Sequence, residues 1–233
     1  MITGPVLLVA FLGGLLPALL WLVFWQLEDH CDPEPKKLIF FSFIAGMAVV
    51  PLVLPFQSVV LKMTDALSLS PIIMLLLWAA IEELFKFGVA WIVILRNRAV
   101  DEPIDAIIYM LTVALGFAAL ENTLFLLGPL ASGDTVASLL SGNVRFIGAT
   151  LLHTLASATV GIALALSFYR SSSVRAKYLT GGLIVAVVLH TLFNFLLLEQ
   201  GGAGFSVFLF VWIGVVIVLL FFERLKRPAR DYC

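Results

Sequence analysis

Residues 71–95 read PIIMLLLWAAIEELFKFGVAWIVIL, a stretch whose only charged residues are Glu82, Glu83 and Lys86. About 20 apolar residues, at about 1.5 Å of rise each, cross the hydrocarbon core of a bilayer. The stretch therefore predicts a membrane-spanning helix with charges near its middle. The same reading holds on both sides of it. Long apolar runs predict seven spans, at roughly 4–27, 38–61, 71–95, 104–128, 146–169, 178–198 and 205–222. Composition agrees: 62% of the 233 residues are hydrophobic, 12% are charged and the mean hydropathy is +1.11. Soluble domains carry about 45–50% apolar and about 25% charged residues, so a soluble enzyme and a disordered chain are both excluded. A net charge of −1 offers no basic surface for phosphates, and no nucleic-acid partner is expected. Cys31 and Cys233 stand far apart in the chain and make neither a CxxC site nor a disulfide framework. The expected fold is all-α: one polytopic integral membrane helix bundle over residues 1–233, embedded in the lipid bilayer.

The predicted loops are short and rich in turn formers. Asp32-Pro33-Glu34-Pro35 follows the first span, Asp101-Glu102-Pro103 opens the fourth, Gly128-Pro129 closes it, and Gly201-Gly202 separates the last two. The first span lacks the basic leader of a cleavable signal, since no Lys or Arg precedes Lys36. With the N-terminus outside, eleven basic residues (Lys36, Lys37, Arg96, Arg98, Arg170, Arg175, Lys177, Arg224, Lys226, Arg227 and Arg230) fall on the inner side, two (Lys62 and Arg145) on the outer side, and Lys86 within a span. The positive-inside rule then predicts an extracytoplasmic N-terminus and a cytoplasmic C-terminus. Pro51 and Pro55 lie inside the second span, as a kink tolerated by its neighbours or a widened groove for substrate. Trp21, Trp25 and Trp91 are expected in an interfacial belt, and Phe-rich runs are expected to face lipid.

An ionisable side chain in the hydrocarbon core costs at least ~2.5–3.5 kcal/mol and marks function by default. The third span carries Glu82, Glu83 and Lys86, the fourth Glu121 and Asn122, the fifth His153 and the sixth His190 and Asn194. Of the three histidines, only His30 lies outside a span. Helical rise from the inner ends puts Glu82 and Glu83 about 18–20 Å deep, Glu121 about 26 Å, His153 about 24 Å, His190 about 18 Å and Asn194 about 24 Å. Four helices thus place polar groups in one layer between midplane and outer leaflet, a set suited to metal-assisted or acid–base chemistry. Plainer readings exist. Glu82 and Lys86, four residues apart, form a natural helix ion pair; Glu83, turned about 100° away, then needs another partner. His153 or His190 could be an interhelical hydrogen-bonding histidine. His190 and Asn194 share a face, as base or ligand beside an amide, or as a polar packing seam. Asn122 suits such a seam too. Asp105 sits in the first turn of its helix, where an acid is favoured by the dipole, and Arg145 marks an outer boundary.

Glu82-Glu83-x-x-Lys86, Phe117-x-x-x-Glu121-Asn122, an isolated His153 and His190-x-x-x-Asn194 follow one another on successive spans. This ordered set resembles the PrsW family of intramembrane proteases, distant relatives of the CAAX prenyl endopeptidases. The resemblance covers roughly residues 75–198, and the catalytic core is expected at about 71–198. The second motif ends in Glu121 where the CAAX branch has His, and Lys86 comes one residue before that branch's Arg, so cleavage of prenylated proteins is not expected. The resemblance implies an endopeptidase in a bacterial or archaeal inner membrane. It would cut a membrane-tethered protein near the extracytoplasmic face, with an anti-sigma factor of a stress response as the family's example.

On that resemblance Glu82 is assigned as general base and Glu83 as its orienting partner or an aid to metal binding. Glu121, His153 and His190 are assigned to one Zn²⁺ with a position open for water. Asn194 would donate to the oxyanion, and Lys86 would neutralise excess acid. A metal-free pair of carboxylates dividing base and acid roles stays open. Two other classes compete: a proton or cation transporter using the intramembrane Glu/His/Lys chain, against which no inverted repeat is found, and a haem carrier with His153 and His190 as axial ligands, which leaves the three glutamates unexplained. Substrate identity, trigger and oligomeric state are not legible.

Overall fold

The computed structural model describes residues 2–28, 33–133, 148–199 and 205–226. His30, Cys31, Asp32, Arg145, Gly201, Gly202, Arg227, Arg230 and Cys233 lie outside these residues. The described chain forms seven helices: α1 (Gly4–Glu28), α2 (Lys36–Ala66), α3 (Pro71–Val93), α4 (Pro103–Ser132), α5 (Thr150–Leu166), α6 (Ser172–Glu199) and α7 (Phe205–Lys226). No strand occurs among the described residues.

Each predicted span corresponds to one helix, but several helices outrun their apolar stretch. α2 extends to Ala66 and carries Lys62 within it, and α6 starts at Ser172 rather than near 178. Hydropathy marks the part of a helix that sits in hydrocarbon, whereas its hydrogen-bonded backbone continues wherever nothing stops it. α2 likewise continues through Pro51 and Pro55. α4 runs past Gly128-Pro129 to Ser132 and is closed by Gly133 in the left-handed region, φ +76°, a conformation glycine adopts without steric cost. At its other end Asp105 accepts hydrogen bonds from the backbone N–H groups of Glu102 (2.7 Å) and Asp101 (2.9 Å), the terminal role expected of it.

By length and composition, α1, α2, α4 and residues 172–198 of α6 can each cross a membrane. α5 is apolar but has 17 residues, and α3 carries the three charges in its middle. Helix α4 is buried on all sides from Ile104 to Ala119, and α5 along nearly its whole length; such helices belong at the centre of a bundle. α1, α2 and α5 pack on α4, and α6 and α7 pack on α5. α2 and α4 approach to backbone contact at Gly46 and Gly116: a Cβ on Gly46 would collide with the Val113 carbonyl, and one on Gly116 with that of Phe43. Where lipid is as apolar as leucine, close approach of this kind replaces hydrophobic expulsion as the packing force.

The aromatic expectations divide. Trp91 is exposed, but Trp25 is buried, its ring 5.5 Å from that of Phe222 on α7. Phe43, Phe117, Phe193 and Phe222 are buried as well, rather than facing lipid. A hydropathy window carries no information about which side of a helix its neighbours cover.

Candidate active site

The intramembrane polar groups of α3, α4, α5 and α6 meet. On α3, Glu83 and Lys86 are fully buried and Glu82 nearly so. The Lys86 ammonium donates to Glu83 Oε1 at 2.8 Å and lies 3.8 Å from Glu82 Oε2. The closer partner is thus Glu83, three residues back, rather than Glu82, four back. The same ammonium contacts His153 Nδ1 at 2.8 Å and sits 4.2 Å from the centre of the Phe117 ring. An ammonium has no acceptor, so Nδ1 accepts here, and the hydrogen of neutral His153 is on Nε2. That nitrogen lies 3.0 Å from Glu121 Oε2 on α4 and donates to it.

His190 on α6 is fixed from its other side. Its Nδ1 donates to Glu83 Oε1 at 2.8 Å, which leaves Nε2 as the acceptor nitrogen, 3.7 Å from Glu82 Oε2. A carboxylate on the far nitrogen of a histidine selects its tautomer and aims the near one. Glu83 therefore finds the separate partners that its position demanded, and Ser157 Oγ adds a longer contact to its Oε2 at 3.4 Å. The His153 and His190 rings touch edge to face, with centres 5.1 Å apart. That contact leaves no space between them for a haem plane.

Glu82 carries the unusual feature. Its Oε1 accepts from Gln57 Nε2 on α2 at 2.8 Å, while its buried Oε2 makes no hydrogen bond. Two lone-pair sites, Glu82 Oε2 and His190 Nε2, thus face each other at 3.7 Å. Buried polar atoms are otherwise almost always partnered. Glu82, His153 and His190 each offer a ligand atom within 4.8 Å of the others. Two histidines and one glutamate are a donor set of catalytic zinc sites, so the residue types fit a metal ion once His153 gives up its contact with Lys86 or Glu121. The carboxylate of this trio is Glu82, and Glu121, expected as a ligand, lies beside it with Oε2 3.0 Å from His153 Nε2.

Asn194, one turn beyond His190, is half-buried and makes no hydrogen bond to the cluster among the described residues. Asn122 donates to Thr150 Oγ1 at 2.9 Å and ties α4 to α5, the seam expected of it. Below the site, Val49, Val50, Val53 and Phe117 form a buried apolar cluster, with Ile81, Phe85 and Leu120 against it.

The family described as PrsW family intramembrane metalloprotease matches residues 34–221. The chain belongs to the PrsW family. Protease PrsW of Bacillus subtilis (strain 168) is 29% identical over 208 residues, covering 87% of this chain and 91% of that protein. Protease PrsW of Geobacillus kaustophilus (strain HTA426) is 28% identical over 223 residues, covering 94% and 92%. Protease PrsW of Clostridioides difficile (strain 630) is 23% identical over 193 residues, covering 82% and 79%. No solved structure matches the chain significantly. Membership makes this a multi-pass membrane peptide hydrolase, as its apolar helices and buried acids suggest.

Gln57 was not among the residues singled out from sequence. Its signal is one amide in the apolar run Val53-Leu54-Pro55-Phe56-Gln57-Ser58-Val59-Val60. Nothing local shows that Gln57 meets an acid twenty-five residues away.

Proposed function

We propose that this protein is an endopeptidase of the cell membrane that cuts a membrane-tethered protein near the extracytoplasmic face, an anti-sigma-factor-like protein being the substrate by family resemblance. The observation that carries this reading is the pair of facing acceptors, Glu82 Oε2 and His190 Nε2, 3.7 Å apart and buried. Such a pair attracts a water hydrogen or a cation. The Lys/Arg asymmetry supports an outside N-terminus and a cytoplasmic C-terminus, which puts this layer in the outer half of the bilayer.

Glu82, His153 and His190 would hold a zinc ion. Zinc bound there would supply a water acidified to a pKa of about 7 and polarise the scissile carbonyl. Glu83 holds His190 through Nδ1 and keeps Nε2 turned inward. Glu121, the acid beside the trio and the more exposed one, takes the water proton in this arrangement. Asn194, on the His190 face, donates to the oxyanion, a contact of a kind worth about 3–4 kcal/mol in the barrier. Lys86 offsets the charge of the acids around it.

A second reading is favoured by one contact. The Lys86 ammonium on His153 Nδ1 leaves His153 without a lone pair for an ion. In that arrangement Glu82 Oε2 is the proton acceptor for water, and no metal takes part. Both readings require Glu82: Glu82→Gln abolishes cleavage of a tethered reporter while the protein still inserts and folds. A variant that cuts at the normal rate refutes both. Stoichiometric zinc and loss of cleavage with a chelator select the first reading; zinc-free protein with chelator-resistant cleavage selects the second.

A further inference from the structure

We propose that Gln57 is a positioning residue for Glu82, holding one carboxylate oxygen so that the other stays turned toward His190. This inference rests on the reading of Glu82 given above. Gln57 is fastened to one face of α3 at both of its ends. Its backbone carbonyl accepts from Trp78 Nε1 at 3.0 Å, and its side-chain Nε2 donates to Glu82 Oε1 at 2.8 Å. Trp78 and Glu82 are four residues apart and therefore stacked on one helix face. The first bond sets the register of α2 against α3; the second then reaches the carboxylate at a fixed height.

The bond to Gln57 is the one hydrogen bond that Glu82 makes among the described residues. Lys86 Nζ at 3.8 Å and His190 Nε2 at 3.7 Å both lie beyond hydrogen-bonding range of Oε2. The terminal torsion of a glutamate is broad and roughly two-fold, so without an anchor the two oxygens exchange places and the group swings. With Oε1 held by an amide, Oε2 alone is presented to the site. The amide suits this task because it donates without adding charge to a layer that already holds three glutamates and a lysine. Val53, one turn earlier, packs with Phe117 in the dry cluster under the site, so the approach of α2 is supported by apolar contact as well.

The test uses the full-length protein in proteoliposomes, with a reporter made of one transmembrane helix and an extracytoplasmic tail. Gln57→Met keeps the side-chain length and the backbone bond to Trp78 but removes the donor. Gln57→Asn keeps the amide but is one methylene too short. Loss of a group that orients a site residue typically costs 10–100-fold. Each variant is expected to lower kcat by about 10–100-fold with KM within about twofold. Zinc affinity, read by competition with a chelating indicator, is expected to fall by a similar factor wherever the parent protein binds zinc. A role confined to helix packing would instead lower the melting temperature and leave kcat of the folded fraction intact. Normal kcat in either folded variant overturns the proposal, and Gln57→Asn decides it if Gln57→Met does not fold. Glu82→Gln, run alongside, separates the two failures. An active Glu82→Gln protein removes the site reading itself, whereas an inactive one beside fully active Gln57 variants removes the positioning role alone.

Discussion

Replacing Lys86 by Met removes a positive charge at the point where three helices converge. The Lys86 ammonium is fully buried and lies 2.8 Å from Glu83 Oε1, 2.8 Å from His153 Nδ1 and 4.2 Å from the Phe117 ring centre. At 2.8 Å and an effective dielectric constant near 20, the attraction between two unit charges is about 6 kcal/mol. Desolvation, at several kcal/mol per ion, offsets most of it, so the intact pair contributes little net stability. Removing one partner is different, because the desolvation of the remaining ion stays uncompensated. That asymmetry predicts a loss of about 3–5 kcal/mol for Lys86→Met. The double variant Lys86→Met/Glu83→Gln removes both ions and is expected to recover part of the loss, since contacting residues are non-additive. Reversible unfolding in mixed micelles, followed by circular dichroism, measures both. A loss below about 1 kcal/mol for the single variant, or strict additivity in the double one, would refute the view of Lys86 as a charge held in place by Glu83.

Other consequences are simpler. Gly116→Ala pushes a Cβ into the Phe43 carbonyl, and the α2–α4 contact has no flexible side chain there to give way; destabilisation of at least about 1–3 kcal/mol is expected in the same unfolding assay. Asp105→Ala leaves the N–H groups of Asp101 and Glu102 without their acceptor, at a cost of about 0.5–2 kcal/mol, with faster amide hydrogen exchange at the start of α4 as a local readout.

Much of this architecture is local information. A span announces itself because hydrocarbon thickness sets the length of an apolar run, and each of the seven runs does contain a helix. The depth of a polar group follows from helical rise alone. Glu82, Glu83, His153 and His190 could be assigned to one layer for that reason: Glu83, Lys86, His153, Glu121 and His190 share one hydrogen-bonded network, and Glu82 lies 3.7–3.8 Å from it. The turn of about 100° between adjacent residues predicts a partner for Glu83 apart from Lys86, and His190 is one, but Lys86 also lies closer to Glu83 than to Glu82. Gln57 was not legible in this way. A single amide in an apolar run has many possible partners, and its choice depends on the register of α2 against α3. Nor could sequence decide whether Trp25 lies at an interface or under α7.

The sequence by itself determined where the seven helices of the described residues fall, how long their apolar parts run and how far along its helix each polar side chain sits, because these depend on distance along one helix axis. Only the tertiary structure decided which atoms meet: Lys86 closer to Glu83 than to Glu82, Glu121 on His153, Glu82 within reach of both histidines, and Gln57 on the far oxygen of Glu82. Those choices depend on the rotation of each helix about its axis and on side-chain torsions, and packing against neighbouring helices fixes both.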